Sequence, residues 1–324
     1  MKIRSNGKKA EAPGSASQRR LKCRLAAAVL LPATSAALMA LAAKQPGFAE
    51  WYSENIYPLF VNSLGRLWGL FPFSVSEIAL YILIVVFLLS LAAAVRKGIH
   101  GAVPWLSCIL LAAGILAFLY TICCGINYHR KSFSEEEGIV TYRYTAQDLK
   151  EVCLWLTEEV NTISGEVDRD SSGVMTLEAP EGEGAVEANY NGDMTAYNIP
   201  FTTCHELSHL RGFMQEEEAN FIAFLACIQS DRTDFRYSGY LSGWVYCMNA
   251  LYRTDHESWQ EVRLLLAEEA EADLEANSAF WDAYEGRISE AADKINDTYL
   301  KANGQADGVQ SYSRMVDLIV AYFG

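Results

Sequence analysis

Six residues carry the first chemistry in this sequence: Cys204-His205-Glu206-Leu207-Ser208-His209. Two histidines four apart project from one face of a helix. Their imidazole nitrogens then reach one zinc ion at about 2.0–2.1 Å. Glu206 is rotated by about 100° from His205. It stands beside the metal rather than on it, as the base for an attacking water. The motif draws two of the chain's five histidines into one turn and a half of helix.

A catalytic zinc takes three protein ligands and keeps one position open. Glu216-Glu217-Glu218-Ala219-Asn220 opens the next helix and offers three carboxylates. Phe221, Ile222 and Leu225 follow Glu218 by three, four and seven positions, which places Glu218 at the edge of the buried face. Glu217 shares a face with Phe221 and Phe224 and is the alternative third ligand. Acids in a first helical turn are also favoured by the helix dipole alone. Asn220 is placed to orient a ligand through a hydrogen bond. The oxyanion of amide hydrolysis needs a donor besides the metal, and Arg236, Tyr237 and Tyr240 follow soon enough to be candidates. The bland alternative for the tyrosines is packing with their hydroxyls at the surface.

The stretch HELSHLRGFMQEEEANFIAFLAC, with DFRYSGYL after it (Asp234 to Leu241), resembles a bacterial membrane family, domain of unknown function 3810. The members of that family look like zinc metallopeptidases of the gluzincin type. The resemblance is close over about residues 190–252 and looser over the apolar region before them. It implies His205 and His209 as ligands, Glu206 as base, and Glu218, the Glu of Glu-Ala-Asn, as third ligand. Cys204 before the first His is the departure, and no role follows for it.

The elements that must hold this site divide sharply by charge. Residues 1–124 hold 12 Lys/Arg against 4 Asp/Glu, and residues 125–324 hold 14 against 36. An apolar, basic first part therefore precedes an acidic domain of 200 residues, long enough for one sizeable core. The acidic balance speaks against nucleic acid as a partner. Apolar runs at about 25–43, 78–95 and 103–125 match the roughly 20 residues a membrane-spanning helix needs. The lipid bilayer is then one partner and a peptide or protein substrate the other.

Eight basic residues precede the first run, and Arg96 and Lys97 follow the second. The positive-inside rule puts those ends in the cytoplasm and the C-terminal domain outside the cell membrane. The connection at 45–77, with Trp51, Tyr52, Tyr57, Trp68, Phe71 and Phe73, reads as an interfacial segment. The first run also suits an uncleaved span better than a signal peptide, whose apolar core is usually about 7–15 residues.

The expected architecture is mainly α: a cytoplasmic tail at 1–24, a three-helix membrane region at 25–125, and a mostly helical, zincin-like extracytoplasmic domain at 126–324. Within that domain the sequence predicts a helix from Ala146 capped by Thr145, and loop or short strands over 163–198. Helices are expected at about 202–211, 216–230 and 239–252, and over 258–299 with a break near Asn277. A last one is expected at 310–322. His256, in the charged stretch DHES, reads as a surface or capping residue, and Cys153, Cys204, Cys227 and Cys247 allow three disulfide pairings.

The function these residues predict is zinc-dependent peptide hydrolysis with one Zn2+ per chain. The alternative is a catalytically silent, membrane-tethered zinc-binding sensor or interaction domain. An intramembrane protease is disfavoured by polar flanks, Asn198, Thr202 and Thr203 before the motif and Arg211 and Gln215 to Glu218 after it. A transporter finds no intramembrane acid or lysine to form its pathway.

Overall fold

The computed structural model describes residues 13–71, 73–177, 193–283 and 286–324. Among these the regular elements are helices, and extended backbone pairs at one isolated bridge, Arg169 with Met175. The chain divides into two compact units, one of residues 1–48 and 73–126, the other of residues 49–72 and 127–324.

In the first unit α1 (Pro13–Lys44) precedes a short α2 (Phe48–Asn55) that belongs to the second unit. The helices α3 (Val75–Arg96) and α4 (Ile99–Tyr120) complete the first. The stretches Ser17–Lys44, Val75–Arg96 and Gly101–His129 are each long and apolar enough to cross a bilayer. They mark the chain as a membrane protein. The side chains from Ile82 to Leu89 are 42–67% exposed, an apolar surface that water would not tolerate over such a length. Ser74 caps α3 by accepting from the Glu77 N–H. Trp105 Nε1 donates to Ser90 Oγ at 3.0 Å and ties α4 to α3. Gly114 of α4 faces Pro32 of α1, where a Cβ would meet the ring at 3.3 Å.

The second unit begins in the connection between the first two spans. Residues 49–72 were expected within the membrane region, but they form α2 and further short helical turns that pack into the acidic domain. Tyr52 and Tyr57 are buried there, while Trp51, Trp68 and Phe71 are exposed. One compact unit cannot lie on both sides of a bilayer, so 49–72 and 127–324 share a side. Three spans satisfy that requirement, because the first connection and the chain after the third span then emerge together.

The domain's regular part starts with α5 (Ala146–Ser164). Thr145 accepts from the Asp148 N–H and Asp148 reaches back to the Thr145 N–H, a complete capping box. Leu149, Val152, Cys153, Leu156 and Val160 repeat at three and four and are buried along one face. After it come α6 (Asn198–Leu210), α7 (Glu216–Ile228) and α8 (Thr233–Thr254). The central helix α8 buries Tyr237, Leu241, Trp244, Met248 and Leu251. Each fully buried side chain of this kind contributes about 1.5–3 kcal/mol.

Gly239 was expected to open α8 but sits in its interior with Gly243. A Cβ at Gly239 would lie 2.6 Å from Cys227 Cβ, and one at Gly243 2.6 Å from Phe224. These glycines mark close packing of α7 on α8 rather than a boundary. The expected break near Asn277 is also displaced. The stretch forms α9 (His256–Arg263), α10 (Glu268–Asp282) and α11 (Arg287–Ala302), with Asn277 inside an intact helix. Its side chain explains its presence, since Oδ1 accepts from Asn198 Nδ2 at 2.6 Å and Thr195 Oγ1 at 3.0 Å. Asp255, rather than His256, caps α9, and exposed His256 stacks on Trp259. A 3-10 turn at Gly308–Arg314 leads into α12 (Met315–Phe323), whose Met315, Val316, Ile319 and Val320 close the core. Part of the irregular stretch 163–198 lies outside the described residues. All eight cysteines are free thiols.

Candidate metal centre

The end of α6 sets the site. Gly212 adopts φ +91, its N–H bonds the His209 carbonyl, and the Phe213 N–H bonds the Ser208 carbonyl. This is a Schellman termination, which a glycine enters without strain. A Cβ on Gly212 would also meet Ser53 Oγ of α2, which would have to turn away from Arg130. Arg130 Nη1 donates both to Ser53 Oγ and to the Arg211 carbonyl at 2.9 Å. Tyr57 donates its hydroxyl to the His209 carbonyl at 3.1 Å. The chain reverses over residues 212–215, and the first residue of α7 therefore faces the last turns of α6.

That residue is Glu216. Its Oε2 lies 3.1 Å from His205 Nε2 and 3.5 Å from His209 Nε2, and the two Nε2 atoms are 3.1 Å apart. The imidazole planes stand at 87° to one another. On their far sides, His205 Nδ1 meets Asn220 Oδ1 at 2.8 Å and His209 Nδ1 meets the Phe213 carbonyl at 2.7 Å. Both partners are acceptors, so each ring carries its proton on Nδ1. Asn220 is held in that orientation by donating Nδ2 to the Tyr246 hydroxyl at 3.4 Å.

Three lone pairs therefore converge in a protein interior. Glu216 Oε2 is buried without a hydrogen-bond partner, an arrangement that costs free energy unless a cation joins it. Tetrahedral zinc bonds of about 2.0–2.1 Å place ligand atoms about 3.3 Å apart. The three observed separations, 3.1, 3.1 and 3.5 Å, bracket that edge. Donor set and spacing both fit zinc. A proton on Nε2 would take the place of a metal ion here: burial works to raise the Glu216 carboxyl, but hydrogen bonds from the two imidazoles so protonated would outweigh it and hold its pKa at about 2. Burial opposes charge on His209, yet Glu216, the Phe213 carbonyl and Glu206 outweigh it and raise its pKa.

Glu206 does not join this group. It lines a cleft of about 500 Å3 with His205, Thr202, Asn220, Ser242 and Tyr246. Ser242 Oγ in that wall is buried without a partner. Glu206, His205 and two hydroxyls, Ser242 and Tyr246, thus share one opening.

The other sequence-predicted residues lie elsewhere. Glu218, at the edge of the buried face by its spacing, is buried against the single turn Phe133–Glu136, where it accepts from the Ser134 N–H at 2.9 Å and Oγ at 2.5 Å. Glu217 accepts from Gln305 Nε2 at 2.7 Å, and burial pushes its pKa up. Successive helical residues point about 100° apart, and the hairpin gives the inward direction to Glu216 alone. The expectation of Glu218, or Glu217, beside the two histidines is corrected on this geometry.

Tyr237 is fully buried and binds Asp273 and Arg169, a network that also takes the Met175 N–H. Tyr240 packs edge-on against Trp155 and Phe224. Neither tyrosine lines the cleft. Asn220 lies against His205 Nδ1. Sequence reasoning passed over Tyr246, 26 residues beyond Asn220 on α8. The signal for Glu216 was present, since it precedes Asn220 by four and so shares its face.

A family model described as "Protein of unknown function (DUF3810)" matches residues 52–184 and 184–320. No curated protein and no solved structure matches the chain.

Proposed function

The chain belongs to that family, and from its site we propose a membrane-anchored, zinc-dependent metallopeptidase whose zincin-like domain stands outside the cell membrane. The observation that carries this reading is the convergence of His205, His209 and Glu216 beside a cleft that also holds Glu206. The resident zinc would lower the pKa of water and polarise the scissile carbonyl.

The chain's own residues do the rest. His205, His209 and Glu216 hold the ion. Asn220 fixes the His205 tautomer and ring direction. Glu206 takes a proton from the attacking water and passes it to the leaving amine. Tyr246 accepts from Asn220 and keeps its own proton to donate. Burial raises its pKa, so it remains a neutral donor toward a developing oxyanion. Basic residues before the first span and after the second support an N-terminus in the cytoplasm.

Metal analysis of the full chain in detergent should give one zinc per chain, lost in His205→Ala. Unchanged zinc in that variant would overturn the site. Glu206→Gln should keep the zinc and retain bound substrate for identification by mass spectrometry. Cleavage at the wild-type rate by that variant would remove Glu206 as base.

A further inference from the structure

A second pocket lies on the other side of α6. Its volume is about 420 Å3, and Arg66, Arg130 and Arg211 line it with Ser53, Asn62 and Glu54. The three arginines come from three separate parts of the sequence. Arg130 is paired with Glu136 at 2.8 Å, and its side chain is only 8% exposed. Its Nε is nevertheless buried with no hydrogen-bond partner, a donor left facing no acceptor. With Arg130 paired to Glu136, the formal charges of the other lining side chains, Arg66 and Arg211 against Glu54, sum to one positive.

The segment that supplies Arg66 also supplies an apolar surface. Leu64, Leu67, Trp68, Leu70 and Phe71 are 42–77% exposed. Arg66 precedes the start of the second span at Val75 by nine residues. Isolated exposed apolar residues need no explanation, but five within eight residues, a tryptophan among them, match a segment seated at a membrane interface.

We propose that this pocket binds an anionic phospholipid. One phosphodiester charge matches the net charge of the wall, and planar guanidiniums suit phosphate oxygens. The acyl chains would lie along the apolar face of residues 64–71. A soluble phosphate would meet the charge but leave that face unused. A protein partner would cover the face but has no need of the cationic pocket. Leu207 and Leu210 of α6 form the opposite wall, so the lipid would rest on the helix that carries His205 and His209.

The test compares the full chain with an Arg66→Gln/Arg211→Gln double variant in uncharged detergent. Native mass spectrometry would record retention of phosphatidylglycerol and of phosphatidylcholine. We expect the wild type to retain phosphatidylglycerol about tenfold more strongly than phosphatidylcholine, and the double variant to lose most of that preference. Arg66→Lys, which restores the charge, should recover part of it. Both arginines are exposed, and unchanged thermal unfolding would show that the variant folds. Equal retention of the two lipids by the wild type would overturn the proposal. So would a preference that survives in the double variant, displacement by equimolar inorganic phosphate, or a dimer that buries residues 64–71 without lipid.

Discussion

His205 and Asn220 meet at 2.8 Å across the α6–α7 hairpin, and Asn220 lies one helical turn after Glu216. One helix thus supplies both a candidate ligand and the group that aims another. Substituting Asn220 with Ala would free the His205 ring to rotate and to move its proton to Nε2. Loss of such a supporting bond typically costs about 10–100-fold in metal affinity. Chelator competition should show a loss of that size for Asn220→Ala. Wild-type affinity would mean that packing alone holds the ring.

Glu216 and Glu218 separate by different readouts. Glu216→Ala should release the zinc while leaving most of the fold intact, because its carboxylate meets only the two imidazoles in the described structure. Glu218→Ala should retain the zinc but leave the Ser134 N–H unpaired in the interior, the hydroxyl keeping only Ser132 Oγ at 3.0 Å. That costs about 1–3 kcal/mol per orphaned group, seen as a lower denaturation midpoint. Zinc loss in Glu218→Ala with retention in Glu216→Ala would reverse the assignment.

Tyr246→Phe removes one hydroxyl and no packing volume. The Asn220 amide would lose an acceptor at 3.4 Å, a weak contact, so metal content should hold. If the hydroxyl donates to the oxyanion, kcat falls by about 10²–10³ with KM little changed. The measurement uses a peptide captured by the Glu206→Gln variant. A change confined to KM would make Tyr246 a binding residue only.

What could be read in advance follows from the range of the interactions. The α6 helix, its histidines at i and i+4 and the Gly212 stop are local, and so is the Thr145–Asp148 cap. The spacing places Glu218 at the edge of the buried face, and it is buried. Periodicity tells whether a residue is buried but not beside what, and its partner Ser134 lies 84 positions away. Tyr237 follows the same rule, since Asp273 decides its role from 36 positions away. Gly239 and Asn277 were read as helix boundaries by residue type. Their tertiary contacts, close packing in one and a hydrogen-bonded amide in the other, override that preference. The connection at 45–77 carried both kinds of aromatic residue. Sequence alone could not divide buried Tyr52 and Tyr57 from exposed Trp68 and Phe71.

That division bears on topology. Tyr57 holds the His209 carbonyl, and Ser53 holds Arg130, so the connection between the first two spans is part of the domain it helps to build. Reporter fusions after Phe73, Gly98 and Gly324 should read extracytoplasmic, cytoplasmic and extracytoplasmic. Opposite readings at Phe73 and Gly324 would be incompatible with these contacts, whatever the orientation. Matching cytoplasmic readings at both would keep the fold and reverse the chain in the membrane. Tyr57→Phe adds a finer test. It removes one donor from the end of α6 and should cost about 0.5–1.5 kcal/mol in stability. Because the carbonyl it releases belongs to His209, zinc affinity should fall with it. Lost stability at unchanged affinity would make the inter-span segment a structural brace that does not tune the site.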